Sequence, residues 1–267
     1  MPELSRNGVH VHYEVVGRGF PLIMVAGAAL DGLFWREAGY ADALADEFTC
    51  VLVDPRGMGK SSRPVDSSGY GIRETAADIL AIADHLELSR FAFWGSSLGG
   101  WVGIVLAADQ PQRVAAFVLN GATPSFDYPG VGRGMSETSR RVRHVGDTAV
   151  VVGEICDAEG ISADHWMRSI DHGDSDVVAA LAEGWLDYDW PARAAPEQLD
   201  VPTLILMGEH EDPRGEAQAV ADPTPNARLV TLPGVGHVGG QLAVADSLAS
   251  AVPFLRRWAS GTEPASR

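Results

Sequence analysis

The chain has 267 residues, 46% of them apolar and 21% charged, the composition of a globular protein able to bury most of its unfolded surface. Its formal net charge of −16 speaks against a nucleic-acid partner, because phosphate binding needs clustered Lys and Arg. Two cysteines are too few for a disulfide framework, MPELSRNG has no basic stretch ahead of an apolar core, and the run Phe20–Leu30 is shorter than the roughly 20 residues of a membrane span; a cytoplasmic protein with no signal peptide and no membrane contact is expected.

In chain order, VHVHYEVV (9–16) alternates with period two and predicts a strand open to water on one face, with His10 and His12 on the solvent side. PLIMVAG (21–27) and FTCVLVD (48–54) are continuous apolar runs, as in strands covered on both faces, and Cys50 is expected to be buried in the second. Between them, residues 35–47 carry helical spacing. IRETAADILAIADHLEL (72–88) is an amphipathic helix with Ile72, Ala76, Ile79, Ala83 and Leu86 along one stripe. The strand RFAFW (90–94), the helix LGGWVGIVLAAD (98–109) and the strand VAAFVLN (114–120) follow. Such alternation predicts an α/β fold, a mostly parallel central sheet flanked by helices.

After Asn120 the pattern breaks. Residues 121–197 are polar, glycine-rich and weakly helical, then VPTLILMG (201–208) and ARLVTL (227–232) restore buried strands. A helix over about 239–258 closes the chain, and Pro253 is expected to kink or divide it. The organisation expected is a core of 1–120 and 198–267 with a helical cap, 121–197, inserted over one end of the sheet.

Chemistry concentrates at Gly95-Ser96-Ser97-Leu98-Gly99, between an apolar strand and an apolar helix, where a tight elbow is expected. At such an elbow the central residue is held in a strained conformation that lifts its side chain above the sheet. The residues two before and two after crowd the neighbouring strand and helix, so both must be small. Ser97 is therefore the candidate nucleophile and Ser96 a packing neighbour. A serine needs an oriented base, and the chain offers candidates in the required order. GEHEDP carries Glu209, Glu211 and Asp212 after one strand; PGVGHVGG carries His237 after the last, among glycines that let the loop bring it close.

With these motifs the chain resembles serine hydrolases of the α/β-hydrolase fold over almost its full length, the cap following the sixth strand. The resemblance implies a triad of Ser97, His237 and an acid. Counting three residues from the strand-ending Gly208 selects Glu211, and aligning on the next proline selects Asp212; Asp212 is the expected acid. Backbone N–H groups of Ala28 and Leu98 are the implied oxyanion hole, although Ala26-Gly27-Ala28 stands where many members carry His-Gly. DPRGMGKSSRP (54–64) resembles a loop that supports the elbow without supplying a catalytic group. It is not a phosphate loop, since Asp54 takes the place of that motif's first glycine.

The activity implied is hydrolysis of a carboxylic ester or lactone of a small molecule, with no cofactor and no metal, by a monomer or homodimer. The same triad also serves carbon–carbon bond hydrolases and cofactor-free haloperoxidases, and some receptors keep the fold with little turnover. A serine nucleophile argues against haloalkane dehalogenase or epoxide hydrolase chemistry, which in this fold uses an aspartate. Trp166, Trp185, Tyr188 and Trp190 are expected to pack the cap onto the sheet, one or two of them lining an apolar pocket. Arg133, Arg140, Arg141, Arg143 and His144 read as a solvated helix face, the alternative being attraction of an anionic substrate or an acidic partner such as a carrier protein. His210 lies within the acid loop, too close to it in sequence to act as an independent base, and has no second histidine or cysteine at metal-ligand spacing.

Overall fold

Eight strands, β1 (Glu3–Arg6), β2 (Val9–Gly17), β3 (Phe20–Val25), β4 (Phe48–Val53), β5 (Phe91–Ser96), β6 (Val114–Asn120), β7 (Thr203–Gly208) and β8 (Ala227–Leu232), form one sheet in the order β1-β2-β4-β3-β5-β6-β7-β8. This computed structural model describes residues 3–64, 67–123, 131–162, 164, 175–186, 194–212 and 216–259. β1 and β2 run antiparallel to their neighbours and every pairing from β4 to β8 is parallel. The order reverses at β3, so β4 lies on one side of it and β5 on the other, and the loops leaving β3 and β5 open at the same edge. Ligand crevices form at such reversals.

Alternate residues of the central strands feed two cores. Ile23, Val25, Val51, Phe93, Phe117 and Ile205 face one side, covered by α3 (Ile72–His85) and α4 (Leu98–Asp109). Leu22, Met24, Cys50, Trp94, Val118 and Leu206 face the other, under α1 (Leu33–Glu37), α2 (Tyr40–Leu44) and the last helix. Cys50 is fully buried, which pushes its thiol up to about 12. On this second face Trp35 and Tyr40 meet Trp94 edge-on at centroid distances of 6.0 and 5.2 Å. Aromatic pairs of this geometry add roughly 0.5–1.5 kcal/mol each to their buried area.

Several boundaries differ from expectation. The helix read over 35–47 is two short helices, because Gly39 at φ 92° turns the chain between them. The terminal helix starts earlier and divides elsewhere: α9 (His237–Leu242) ends at Ala243, and α10 (Val244–Ala259) runs through Pro253. His12 is not on a wet face. It is 6% exposed, with its ring Nδ1 2.9 Å from Asp54 Oδ2 and its N–H donating to Ser61 Oγ, because the loop after β4 folds over that side of β2. His10 is exposed as expected.

That loop is fixed by a buried ion pair. Arg56 forks onto both oxygens of Asp78 on α3 at 2.8 Å, and Arg6 joins the same carboxylate. Removing one partner would strand a buried charge, at a cost of about 3–5 kcal/mol. Between β6 and β7 lie α5 (Val131–Val145), α6 (Thr148–Glu159) and α7 (Ser175–Leu186). α6 is stopped at both ends by its own sequence: Asp147 accepts the N–H groups of Ala149 and Val150, and Gly160 turns left-handed at φ 69°. Among the described residues no helix is long and apolar enough to cross a membrane.

Candidate active site

β5 ends at Ser96 and α4 begins at Leu98, which leaves Ser97 alone to make the turn. Its backbone sits at φ 49° and ψ −116°, a conformation that costs a non-glycine residue on the order of 1–3 kcal/mol. The turn persists because its surroundings are close-packed, and because the Ser97 N–H donates to the Asn120 carbonyl at 2.7 Å. A Cβ at Gly95 would lie 2.3 Å from the Gly99 carbonyl oxygen, and one at Gly99 would lie 2.1 Å from that of Val25. Both flanking positions therefore admit only glycine. Gly99→Ala is expected to lower stability by about 1–3 kcal/mol and to displace the elbow, read as a lower Tm together with lost turnover; a variant of unchanged Tm and activity would show that the elbow has room to spare.

His237 is the first residue of α9. Its Nε2 is 3.0 Å from Ser97 Oγ and its Nδ1 is 2.5 Å from Glu211 Oε1. The acid on the imidazole is thus Glu211, and the expectation of Asp212 is corrected. Both residues belong to the turn after β7, with their N–H groups on the Gly208 carbonyl. Only the first directs its side chain at the histidine. Asp212 Oδ2 instead accepts the N–H of Ala217 in the first turn of α8 (Glu216–Ala221), where an anion satisfies an orphan donor and the helix dipole. The His237 pKa is raised: desolvation opposes the charged ring, but the charge and hydrogen bond of Glu211, with the charge of Glu159 behind them, outweigh it.

The loop after β3 passes beside the serine. A Cβ on Gly27 would stand 3.2 Å from Ser97 Cβ, so the backbone immediately before Ala28 runs against the serine. Leu98 opens α4, and its N–H has no carbonyl one turn back to meet. Support for this loop comes from Asp54, which accepts the N–H of Gly32 at 2.9 Å through one oxygen and that of Lys60 at 2.9 Å through the other. DPRGMGKSSRP thereby braces the loop carrying Ala28.

Ser96 does more than pack. Fully buried, its hydroxyl donates to Gln241 Oε1 at 2.6 Å, while the Gln241 backbone carbonyl accepts from Tyr40 and Gln241 Nε2 donates to the His237 carbonyl. Gln241 therefore joins the serine-bearing elbow to the histidine-bearing helix. Sequence reading missed it, although a lone glutamine in the apolar turn HVGGQL was a usable signal, since a buried amide must find partners.

Other expectations fare unevenly. His210 is exposed, and Glu209 accepts the N–H of Gly234. No group of three or more His, Cys, Asp or Glu among the described residues converges as metal ligands. Arg141 pairs with Glu154 of α6 at 2.7 Å, and Arg143 with Asp176 of α7 at 3.3 Å. These exposed pairs tie neighbouring helices together, which matches a solvated, charge-compensated face more closely than an open anion funnel. Trp166, Tyr188 and Trp190 lie outside the described residues, as do the side chains of Trp185 and Arg133.

Comparison with known proteins gives four likenesses. A family model of the alpha/beta hydrolase fold matches residues 21–240. Pimeloyl-[acyl-carrier protein] methyl ester esterase of Nitrosomonas europaea is 30% identical over 253 residues, covering 85% of this chain and 92% of that protein. A soluble epoxide hydrolase of Corynebacterium sp. (strain C12) is 33% identical over 124 residues, 46% of this chain and 42% of its own. Among solved structures, a hydrolase from Pseudomonas aeruginosa PA01 superposes with a TM-score of 0.79 at 25% identity, over 95% of this chain and 97% of that one.

Proposed function

The chain belongs to the α/β-hydrolase family, and on that premise we propose that it is a serine hydrolase cleaving a carboxylic ester or lactone of a small molecule. The observation that carries this reading is the unbroken line from Glu211 Oε1 through His237 to Ser97 Oγ, with contacts of 2.5 and 3.0 Å. The esterase relative that matches most of the chain favours the same reaction class. A serine at the elbow separates this chain from the epoxide hydrolases of the fold, whose nucleophile is an aspartate.

The chemistry follows from which atoms face each other. His237 Nε2 takes the Ser97 proton as Oγ attacks the carbonyl carbon. Glu211 holds the proton on Nδ1, so that Nε2 has its lone pair free, and stabilises the imidazolium that forms. The developing oxyanion receives the N–H groups of Ala28 and Leu98, the second at the positive end of α4. Collapse returns the proton to the leaving alkoxide, which departs as alcohol. Water, deprotonated by the same histidine, then releases the acid and restores Ser97. For a lactone the alcohol and acid remain one molecule. The helical segment 121–197 is read as the cap that shapes the substrate pocket.

Turnover of a chromogenic short-chain aryl ester tests this. Intact-protein mass spectrometry should find a transient acyl adduct on Ser97, and kcat/KM should rise with pH as His237 loses its proton. Since the His237 pKa is raised, the midpoint should lie above the 6.5 of an ordinary histidine. The linked stability runs the opposite way: the His237–Glu211 contact contributes fully below the unfolded value and fades as pH rises through the folded one. No turnover and no adduct on any ester or lactone tried would leave a ligand-binding protein on a hydrolase fold.

A further inference from the structure

α9 is a helix of six residues, and its two ends are held by different parts of the molecule. Towards its C-terminus the anchors come from the sheet core: Ser96 and Tyr40 on Gln241, and the Asn120 amide on the Gly240 carbonyl at 3.5 Å. At its N-terminus there is no local cap, because Gly236 has no side chain to offer. That place is taken from a distance. Glu159, the last residue of α6, accepts the Val238 N–H through Oε1 at 3.0 Å and the Gly239 N–H through Oε2 at 2.8 Å, reaching forward 79 and 80 positions in the chain.

The glycines around His237 acquire a second meaning. A Cβ on Gly236 would stand 2.6 Å from the Glu159 carboxyl carbon, and one on Gly239 would stand 3.3 Å from its Oε2. They leave room for a carboxylate to enter beside the first turn. Two N–H groups that the helix itself cannot satisfy are thus satisfied by one residue of the 121–197 segment, one and two residues past His237 in the chain.

We propose that Glu159 is a positioning residue for His237: it fixes the first turn of α9 so that Nε2 addresses Ser97, and it makes the geometry of the base depend on the seating of α6. This rests on the Ser97–His237–Glu211 reading above. The charged groups that face the imidazole among the described residues are Glu211, from the turn after β7, and Glu159, from α6. Removing the second charge while keeping the first therefore moves the titration of His237 downward without touching the bond to Glu211.

The test uses Glu159→Gln, Glu159→Asp and Gly236→Ala in the full chain, with kcat, KM, the pH profile and the downfield NMR resonance of the His237 ring proton measured for each. Glutamine can accept only one of the two N–H bonds and carries no charge. It should lower kcat on the order of tenfold with KM within about twofold, as expected for a misplaced base, and shift the His237 midpoint down, since the Glu159 charge helps to raise it. Aspartate keeps the charge and should restore the midpoint while recovering only part of kcat. Gly236→Ala should push the carboxylate aside and lower kcat with Glu159 intact, so the outcome does not hang on one variant folding. A Glu159→Gln enzyme with the kcat and midpoint of the parent overturns the proposal, as does a loss confined to Tm or to KM. Ser97→Ala run in parallel separates the two levels: if it keeps turnover, the serine reading itself has failed, and if it is dead while Glu159→Gln matches the parent, only the role of Glu159 has.

Discussion

Ser97→Ala is expected to lower kcat on the order of 10⁶-fold, the scale on which removing the nucleophile of a serine triad acts. A serine-directed organophosphate should label the parent protein once and this variant not at all. Ser96→Ala should behave differently. It loses the 2.6 Å bond to Gln241, so a partial loss within about tenfold is expected through misalignment of the histidine helix, with labelling of Ser97 retained. Labelling at Ser96, or full turnover in Ser97→Ala, would remove the assignment.

The second large effect separates two adjacent carboxylates. Glu211→Gln removes the charge that stabilises the imidazolium and frees the ring to take the other tautomer, with an expected loss on the order of 10⁴-fold in kcat. Asp212→Asn touches a different contact, the N–H of Ala217 at the start of α8, and should cost little in kcat and some thermal stability. Assaying both on one ester, with folding checked by circular dichroism, ranks them. The reverse ranking would return the acid to Asp212.

Glu211 and Asp212 share a turn and a hydrogen-bond acceptor in Gly208, so composition and spacing treat them alike. What distinguishes them is the direction of each side chain out of the turn, Glu211 to the His237 ring and Asp212 to the N–H of Ala217. The elbow was legible because its signals are local: a buried strand, two glycines that admit no Cβ, a buried helix. The parallel strands were legible for the same reason, as continuous apolar runs. β1 was not, because ELSR is a four-residue edge strand with no periodicity to display. His12 was misread because its burial depends on a loop 42 positions later in the chain. Glu159 lay further out of reach still: nothing near it in sequence tells of the glycines it serves.

The backbone of Ser97, at φ 49° and ψ −116°, carries a consequence for how such a protein evolves. The residue that would rest most easily there is glycine, which has no Cβ to resist that conformation and no hydroxyl to react. Thermal endurance and chemical competence therefore pull position 97 towards different residues. A lineage, or a laboratory library, sorted only for survival at high temperature would drift towards a sturdier fold with an empty elbow. If Ser97 is the nucleophile proposed above, only selection for turnover keeps a serine at this position.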